Sequence, residues 1–90
     1  MPLIIRQTTQ FQRDAKRLQR QKNSLSRLEI AINTLVTQKP FAEQYRDHAL
    51  GGNWKGFREC HIQPDWLLIY RIEDDELQLA RTGSHTELFG

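Results

Sequence analysis

Apolar positions recur at two different spacings along this chain, and the change of period separates a helical first half from a strand-forming second half. Residues 3–6, LIIR, make a short, β-branched apolar run with the character of a first strand. Thr8 or Thr9 can then cap a helix running to about Gln21, in which Phe11, Ala15 and Leu18 fall at i, i+4 and i+7. That stripe is narrow, so one side packs and the other turns arginines and lysines to solvent. Asn23 and Ser24 interrupt the pattern. Ser26 with Glu29 has capping-box spacing, and Ser24 is a rival start. Leu25, Leu28, Ile32, Leu35 and Val36 repeat at helical spacing to about Gln38, and Pro40, which lacks an N–H, prevents continuation. The spacing predicts two helices joined by a tight turn, an αα-hairpin.

In the second half, WKGFRECHI and WLLIYRI are rich in aromatic and β-branched residues and are separated by QPD, a turn-forming segment. EDDE at 73–76 reads as a polar hairpin tip, after which LQLART alternates Leu77, Leu79 and Arg81 on one face. Three consecutive antiparallel strands follow the helices, and the first strand joins the same sheet. The expected architecture is α+β: two N-terminal helices packed on one face of a small, mostly antiparallel four-stranded sheet. No repeat, low-complexity segment or interdomain linker divides it, so residues 1–90 read as one domain.

Composition narrows the class. No apolar run approaches the roughly 18–20 residues needed to span a bilayer. The start, MPLIIRQTTQ, lacks the basic head and long apolar stretch of a signal peptide. The single cysteine, Cys60, has no partner for an internal disulfide, which fits a reducing cytoplasm. Net charge is only +2, yet residues 1–30 hold Arg6, Arg13, Lys16, Arg17, Arg20, Lys22 and Arg27 against Asp14 and Glu29 alone. Such a face is either simply solvated or a footprint for phosphates or an acidic partner, and charge alone does not choose.

The candidate chemistry concentrates in DHALGGNWKGFRECHIQPDW, residues 47–66. His48 lies in the loop entering the sheet, His61 near the end of the second strand, Asp65 and Trp66 at the turn into the third, and His85 after the fourth. Each has an ordinary structural alternative. A histidine is often a hydrogen-bonded structural residue, Asp65 after Pro64 can fix a turn, and Trp54 and Trp66 suit a core. Gly51, Gly52 and Gly56 match no phosphate-binding loop. Arg81 is harder to dismiss, because on an apolar face it needs a partner unless a bulge turns it outward. The spacing of His48, His61, Asp65 and His85 lacks the close ligand pair of a usual zinc site, so no metal is expected. Cys60 points away from His61, which disfavours a cysteine nucleophile. What remains is metal-free RNA cleavage: a base for the ribose 2′-hydroxyl, an acid for the leaving 5′-oxygen and a cation for the phosphate. Histidine suits the first two roles near neutral pH, and arginine the third.

DHALGGNWKGFRECHIQPDWLLIYRI, followed by RTGSHTELFG, resembles the YafQ branch of the RelE/ParE toxin superfamily across residues 47–90, with the helical half compatible but less distinctive. The resemblance implies a RelE-like microbial ribonuclease fold and the toxin of a type II toxin–antitoxin pair, an endoribonuclease cutting mRNA on the translating 70S ribosome. It implies His48, His61, Asp65 and His85 as the acid–base set. His85 is then the general acid, Asp65 with His61 the base system, and His48 a second base or phosphate contact. Arg81 becomes the phosphate ligand, and Trp66 and Phe89 supports for substrate or site geometry. The implied first product is a 2′,3′-cyclic phosphate, with no cofactor. Arg13, Lys16, Arg17, Arg20 and Lys22 gain a docking role on ribosomal RNA, and the same surface suits an acidic, DinJ-like antitoxin. Operator DNA would be reached only through that antitoxin, and no membrane partner is implied. Two rivals stand beside this reading: a non-catalytic, gyrase-inhibitor-like binding toxin, and an inactive chain serving only as antitoxin partner and co-repressor. The histidines with Asp65 and Arg81 favour the enzyme, since a binding module has no need of that set.

Overall fold

A computed structural model describes residues 2–21 and 23–90. In chain order the elements are β1 (Ile4–Gln7), α1 (Thr9–Arg20), α2 (Ser26–Val36), a 3₁₀ turn (Glu43–Tyr45), β2 (His48–Ala49), a second 3₁₀ turn (Gly52–Trp54), β3 (Arg58–Gln63), β4 (Trp66–Glu73), β5 (Glu76–Gly83) and α3 (His85–Phe89). The strands form one sheet in the order β1-β5-β4-β3-β2, with β1 parallel to β5 and the other pairs antiparallel. No described helix is long and apolar enough to cross a membrane.

The α+β class holds, with three differences from the sequence reading. The sheet has five strands, because His48 and Ala49 pair with Glu59 and Arg58. The strand expected from Trp54 begins only at Arg58, since Gly52–Trp54 curls into a 3₁₀ turn and Gly52 and Gly56 take φ values of 59° and 93°. Finally, α1 and α2 cover one face, while α3 and the loop before β3 cover the other: Leu67, Ile69, Ala80 and Leu88 form a second cluster with Leu50, Trp54 and Phe57. That explains the run WLLIY. Trp66 to Tyr70 are all buried, since alternate side chains enter different cores.

Caps and turns are locally coded. Thr8 accepts the Phe11 N–H at 2.9 Å and so caps α1. Asp74 and Asp75 both take left-handed φ values, 52° and 63°, as a two-residue hairpin with right-handed strand twist requires. The capping box expected at Ser26 and Glu29 does not form, and α2 starts without a side-chain cap. The box closes instead at Ser84 and Glu87, where each side chain takes the other's backbone N–H.

The edge of β5 decides where α1 lies. Pairing with β1 ends at Leu79, so the remaining backbone groups of β5 need other partners. α1 supplies them. Thr8 Oγ1 donates to the Ala80 carbonyl at 2.8 Å, Asp14 Oδ2 accepts the Thr82 N–H at 3.1 Å, and Arg17 Nη2 donates to the Thr82 carbonyl at 3.1 Å. Asp14 is fully buried as a result.

Candidate active site

Sheet register gathers the histidines on the face opposite α1 and α2. His48 pairs with Glu59, Glu59 with Ile69, and Ile69 with Arg81, so these four share one row across the sheet. His61, two residues beyond Glu59, points to the same side and pairs with Leu67, which pairs with Gly83. Straight after Gly83, the Ser84–Glu87 capping box starts α3 and presents His85 in its first turn. Phe89, one turn later, lies on the same side. The rings form a chain: 6.4 Å between the centroids of His48 and His61, 6.1 Å from His61 to His85, and 5.9 Å from His85 to Phe89.

Two carboxylates serve this row, and one of them escaped the sequence reading. Glu59 is buried, with Oε2 3.2 Å from His48 Nε2 and 3.7 Å from His61 Nε2. Its signal was present as Glu59-x-His61, the period-two spacing that puts both on one strand face, but nothing marked the glutamate as buried. The opposite nitrogen of His48, Nδ1, donates to the Arg46 carbonyl at 2.6 Å, which fixes the ring's orientation and turns Nε2 toward Glu59. Asp65, expected beside His61, stands at His85: its Oδ1 accepts the His85 backbone N–H at 3.1 Å and lies 3.7 Å from His85 Nδ1. Asp65 thus anchors the start of α3.

The other expected residues divide. Phe89 is 44% exposed and flanks His85, where a substrate can meet it. Trp66 is buried in the core on the helix side, and its Nε1 donates to Thr82 Oγ1 at 2.9 Å. It therefore supports the framework of the site. A bulge between Ile69 and Tyr70 sets Leu79 opposite Tyr70 and Arg81 opposite Ile69, which removes Arg81 from the alternation face of Leu77 and Leu79. Its Nε and Nη2 reach Asp14 at 2.9 and 3.0 Å, so the partner demanded by a half-buried charge is present. This fork, led by the Asp14 hydrogen bonds, raises the Arg81 pKa further.

Arg17, expected to dock on RNA, is turned inward. Its Nη1 meets Asp14 Oδ1 at 2.8 Å, and its Nε lies 2.8 Å from Glu87 Oε2 with the N–H turned off the line to that oxygen. Arg17 therefore straps α3 to α1. Arg13, Lys16 and Arg20 remain exposed, and Lys22 lies outside the described residues. Gly83 makes room for this strap. Its φ is 154°, and a Cβ there would come within 2.6 Å of Arg17 Nη2 and 3.0 Å of Glu87 Oε1. Gly83→Ala is expected to cost about 1–3 kcal/mol, read as a lower urea midpoint; a midpoint equal to wild type would show that the strap yields freely.

The remaining chemistry is inert or structural. Burial, followed by the charges of Asp47 and Glu59, pushes the Cys60 thiol up to about 12, so it is no nucleophile near neutral pH. Tyr70 donates to Asp47 Oδ1 at 2.5 Å, and Asp47 also pairs with Arg58 at 3.2 Å, which ties the entry to β2 onto the sheet. Among the described residues, no group of three or more His, Cys, Asp or Glu side chains is placed to hold a metal ion. Beside His61 a cleft of about 550 Å³ opens, walled by Arg27, Gln44, Tyr45, Arg46, Gln63 and Pro64 among others.

A family model described as the bacterial toxin of type II toxin–antitoxin systems, YafQ, matches residues 3–90. The mRNA interferase toxin YafQ of Escherichia coli K12 is 39% identical over 82 residues, covering 90% of this chain and 89% of its own. In the solved E. coli DinJ–YafQ toxin–antitoxin complex, a chain 36% identical superposes with a TM-score of 0.91 over 100% of both chains. A metal-bound toxin from Helicobacter pylori is 43% identical, with a TM-score of 0.91 over 97% of this chain and 99% of its own.

Proposed function

The chain belongs to the YafQ family of bacterial type II toxin–antitoxin toxins, and from that premise we propose that it is an mRNA interferase, cutting mRNA on the translating ribosome in the cytoplasm by metal-free acid–base catalysis. One observation carries the reading: three imidazoles in a row on one face, with a carboxylate at each end of the chemistry. In 2′-hydroxyl attack, the base and the acid each sit about 3 Å from an oxygen on opposite sides of one phosphorus. Neighbouring rings with centroids 6.1 and 6.4 Å apart suit that span.

In this mechanism His61, backed by Glu59, takes the proton from the ribose 2′-hydroxyl. The freed oxygen attacks phosphorus, the bond to the 5′-oxygen breaks, and His85 protonates that leaving oxygen. The products are a 2′,3′-cyclic phosphate and a 5′-hydroxyl. Glu59 thus takes the place first assigned to Asp65 beside His61, while Asp65 holds His85 in position through its backbone. His48 shares Glu59 with His61 and serves as a second base or phosphate contact. Arg81, with Asp14 behind it, stabilises charge on the phosphate, and Phe89 borders the substrate. A purely binding toxin has no use for a buried glutamate between two histidines.

By the same reading, a DinJ-like antitoxin is the partner that silences the chain, as the E. coli complex pairs DinJ with YafQ. The exposed Arg13, Lys16 and Arg20 of α1 dock on ribosomal RNA. The test is a reconstituted translation reaction in which mRNA ends are mapped. New ends are expected only on translated message, with cyclic phosphate on the 3′ side. Cuts on untranslated message alone, or 3′-hydroxyl ends, would sink the mechanism. In the same system, Arg13→Glu with Lys16→Glu and Arg20→Glu is expected to abolish ribosome cosedimentation at moderate salt. Unchanged binding across salt concentrations would remove α1 from docking.

A further inference from the structure

The cleft beside His61 is unused by the acid–base row, and its walls have a consistent chemistry. Arg27 enters from the first turn of α2, and Tyr45 and Arg46 from the 3₁₀ turn and residue that precede β2. Among the described residues two arginines, Arg27 and Arg46, line the cleft and no Asp or Glu does, so it attracts an anion. Tyr45 contributes an aromatic surface that is already braced. Phe41, outside the wall, stacks on it with centroids 4.7 Å apart and planes 26° from parallel. A fixed ring of this kind stacks any base. β2 pairs with β3 only at Arg58 and Glu59, so among the described residues no strand pairs with the outer edge of β3 alongside His61 to Gln63, where the cleft lies. Arg46 ties the cleft to the row: with φ at 47° it turns its carbonyl onto His48 Nδ1 while its side chain lines the cleft.

We propose that this cleft is a nucleotide subsite for single-stranded RNA. It takes the nucleotide next to the scissile phosphate, with the base stacked on Tyr45 and the flanking phosphate held by Arg27 and Arg46. The inference rests on the RNA-cleaving reading above. Its volume suits one nucleotide. The pairing of an aromatic ring with cations, in a cleft whose wall includes a residue of the acid–base row, favours RNA over an acidic peptide.

Single-turnover cleavage of ribosome-bound mRNA tests it, with wild type, Arg27→Ala, Tyr45→Leu and Tyr45→Phe, and with Arg6→Ala on the edge strand as control. Arg27→Ala and Tyr45→Leu are expected to raise the half-saturating toxin concentration about ten-fold while the maximal rate stays within about two-fold. Tyr45→Phe, which keeps the ring, and Arg6→Ala should match wild type. Arg27→Ala should also flatten the plot of log affinity against log salt by about 0.7, which a purely structural role would not do. Arg27 is exposed, so its variant keeps the test decisive even if Tyr45→Leu loosens the loop. Normal wild-type cleavage with unmoved half-saturation in both variants overturns this inference alone. A wild type that makes no cuts overturns it together with the RNA-cleaving reading. Unmoved RNA kinetics with weakened capture of the antitoxin assigns the cleft to that partner and equally overturns the proposal.

Discussion

His85→Ala is expected to lower the rate of mRNA cleavage by about 10²–10⁴-fold, the usual worth of a positioned general acid, without unfolding the chain. The His85 side chain is 56% exposed and touches no core residue that alanine would leave unsupported. The helix that carries it starts from Ser84 and Glu87, and Asp65 grips the backbone N–H of residue 85, which alanine retains. Urea midpoint and antitoxin capture should therefore stay at wild-type values while single-turnover cleavage collapses. A variant that still cleaves within ten-fold of wild type would take His85 out of the acid role. Glu59→Gln makes the complementary comparison, since it keeps the shape but removes the charge between His48 and His61.

The second large effect concerns stability. Asp14 is fully buried and accepts from Arg81, Arg17, Gln10 and the Thr82 N–H together. Asp14→Ala strands two guanidiniums and a backbone donor at once. The expected loss is about 3 kcal/mol, at the low end for a broken buried pair because both arginines keep some contact with water. Burial alone would raise the Asp14 carboxyl, but the hydrogen bonds, led by Arg81 and then Arg17, outweigh it and hold the group at about 2 in place of 3.8. The folded chain thus releases this proton more readily than the unfolded chain. The contribution is complete above pH about 4 and disappears as the pH falls to about 2, with a size of about 2 kcal/mol. Urea midpoints measured across that window should fall in wild type and stay flatter in Asp14→Ala. Parallel profiles would show that Asp14 is not the group that titrates.

Both predictions turn on long-range placement, and they mark where reading the sequence stops. Thr8 as a cap, the Asp74–Asp75 hairpin and the change from helical to strand period are decided by nearest neighbours, so they are legible in the residues themselves. The three histidines and Phe89 were legible for another reason: their side-chain types fit one chemistry and one family pattern. Ser26 and Glu29 carry the same capping-box spacing as Ser84 and Glu87, yet only the second box closes. Spacing permits a cap, but the chain's entry angle into the helix determines whether it forms.

What the sequence determined by itself is the two long helices, the first strand and the three strands that follow the helices, the α+β class and the residue types of the site, because these depend on backbone propensity, period and composition within a few neighbours. The tertiary structure alone decided which charge meets which. Arg81 finds Asp14 across 67 positions, Arg17 turns inward to the same carboxylate, and Asp65 serves His85 across 20. Glu59 becomes the partner of two histidines only because β2 pairs with β3 in one register. A charge pairs with whatever the packed strands and helices bring within a few ångströms, and in a low-dielectric interior that proximity sets its energy. Spacing along the chain carries no such distance.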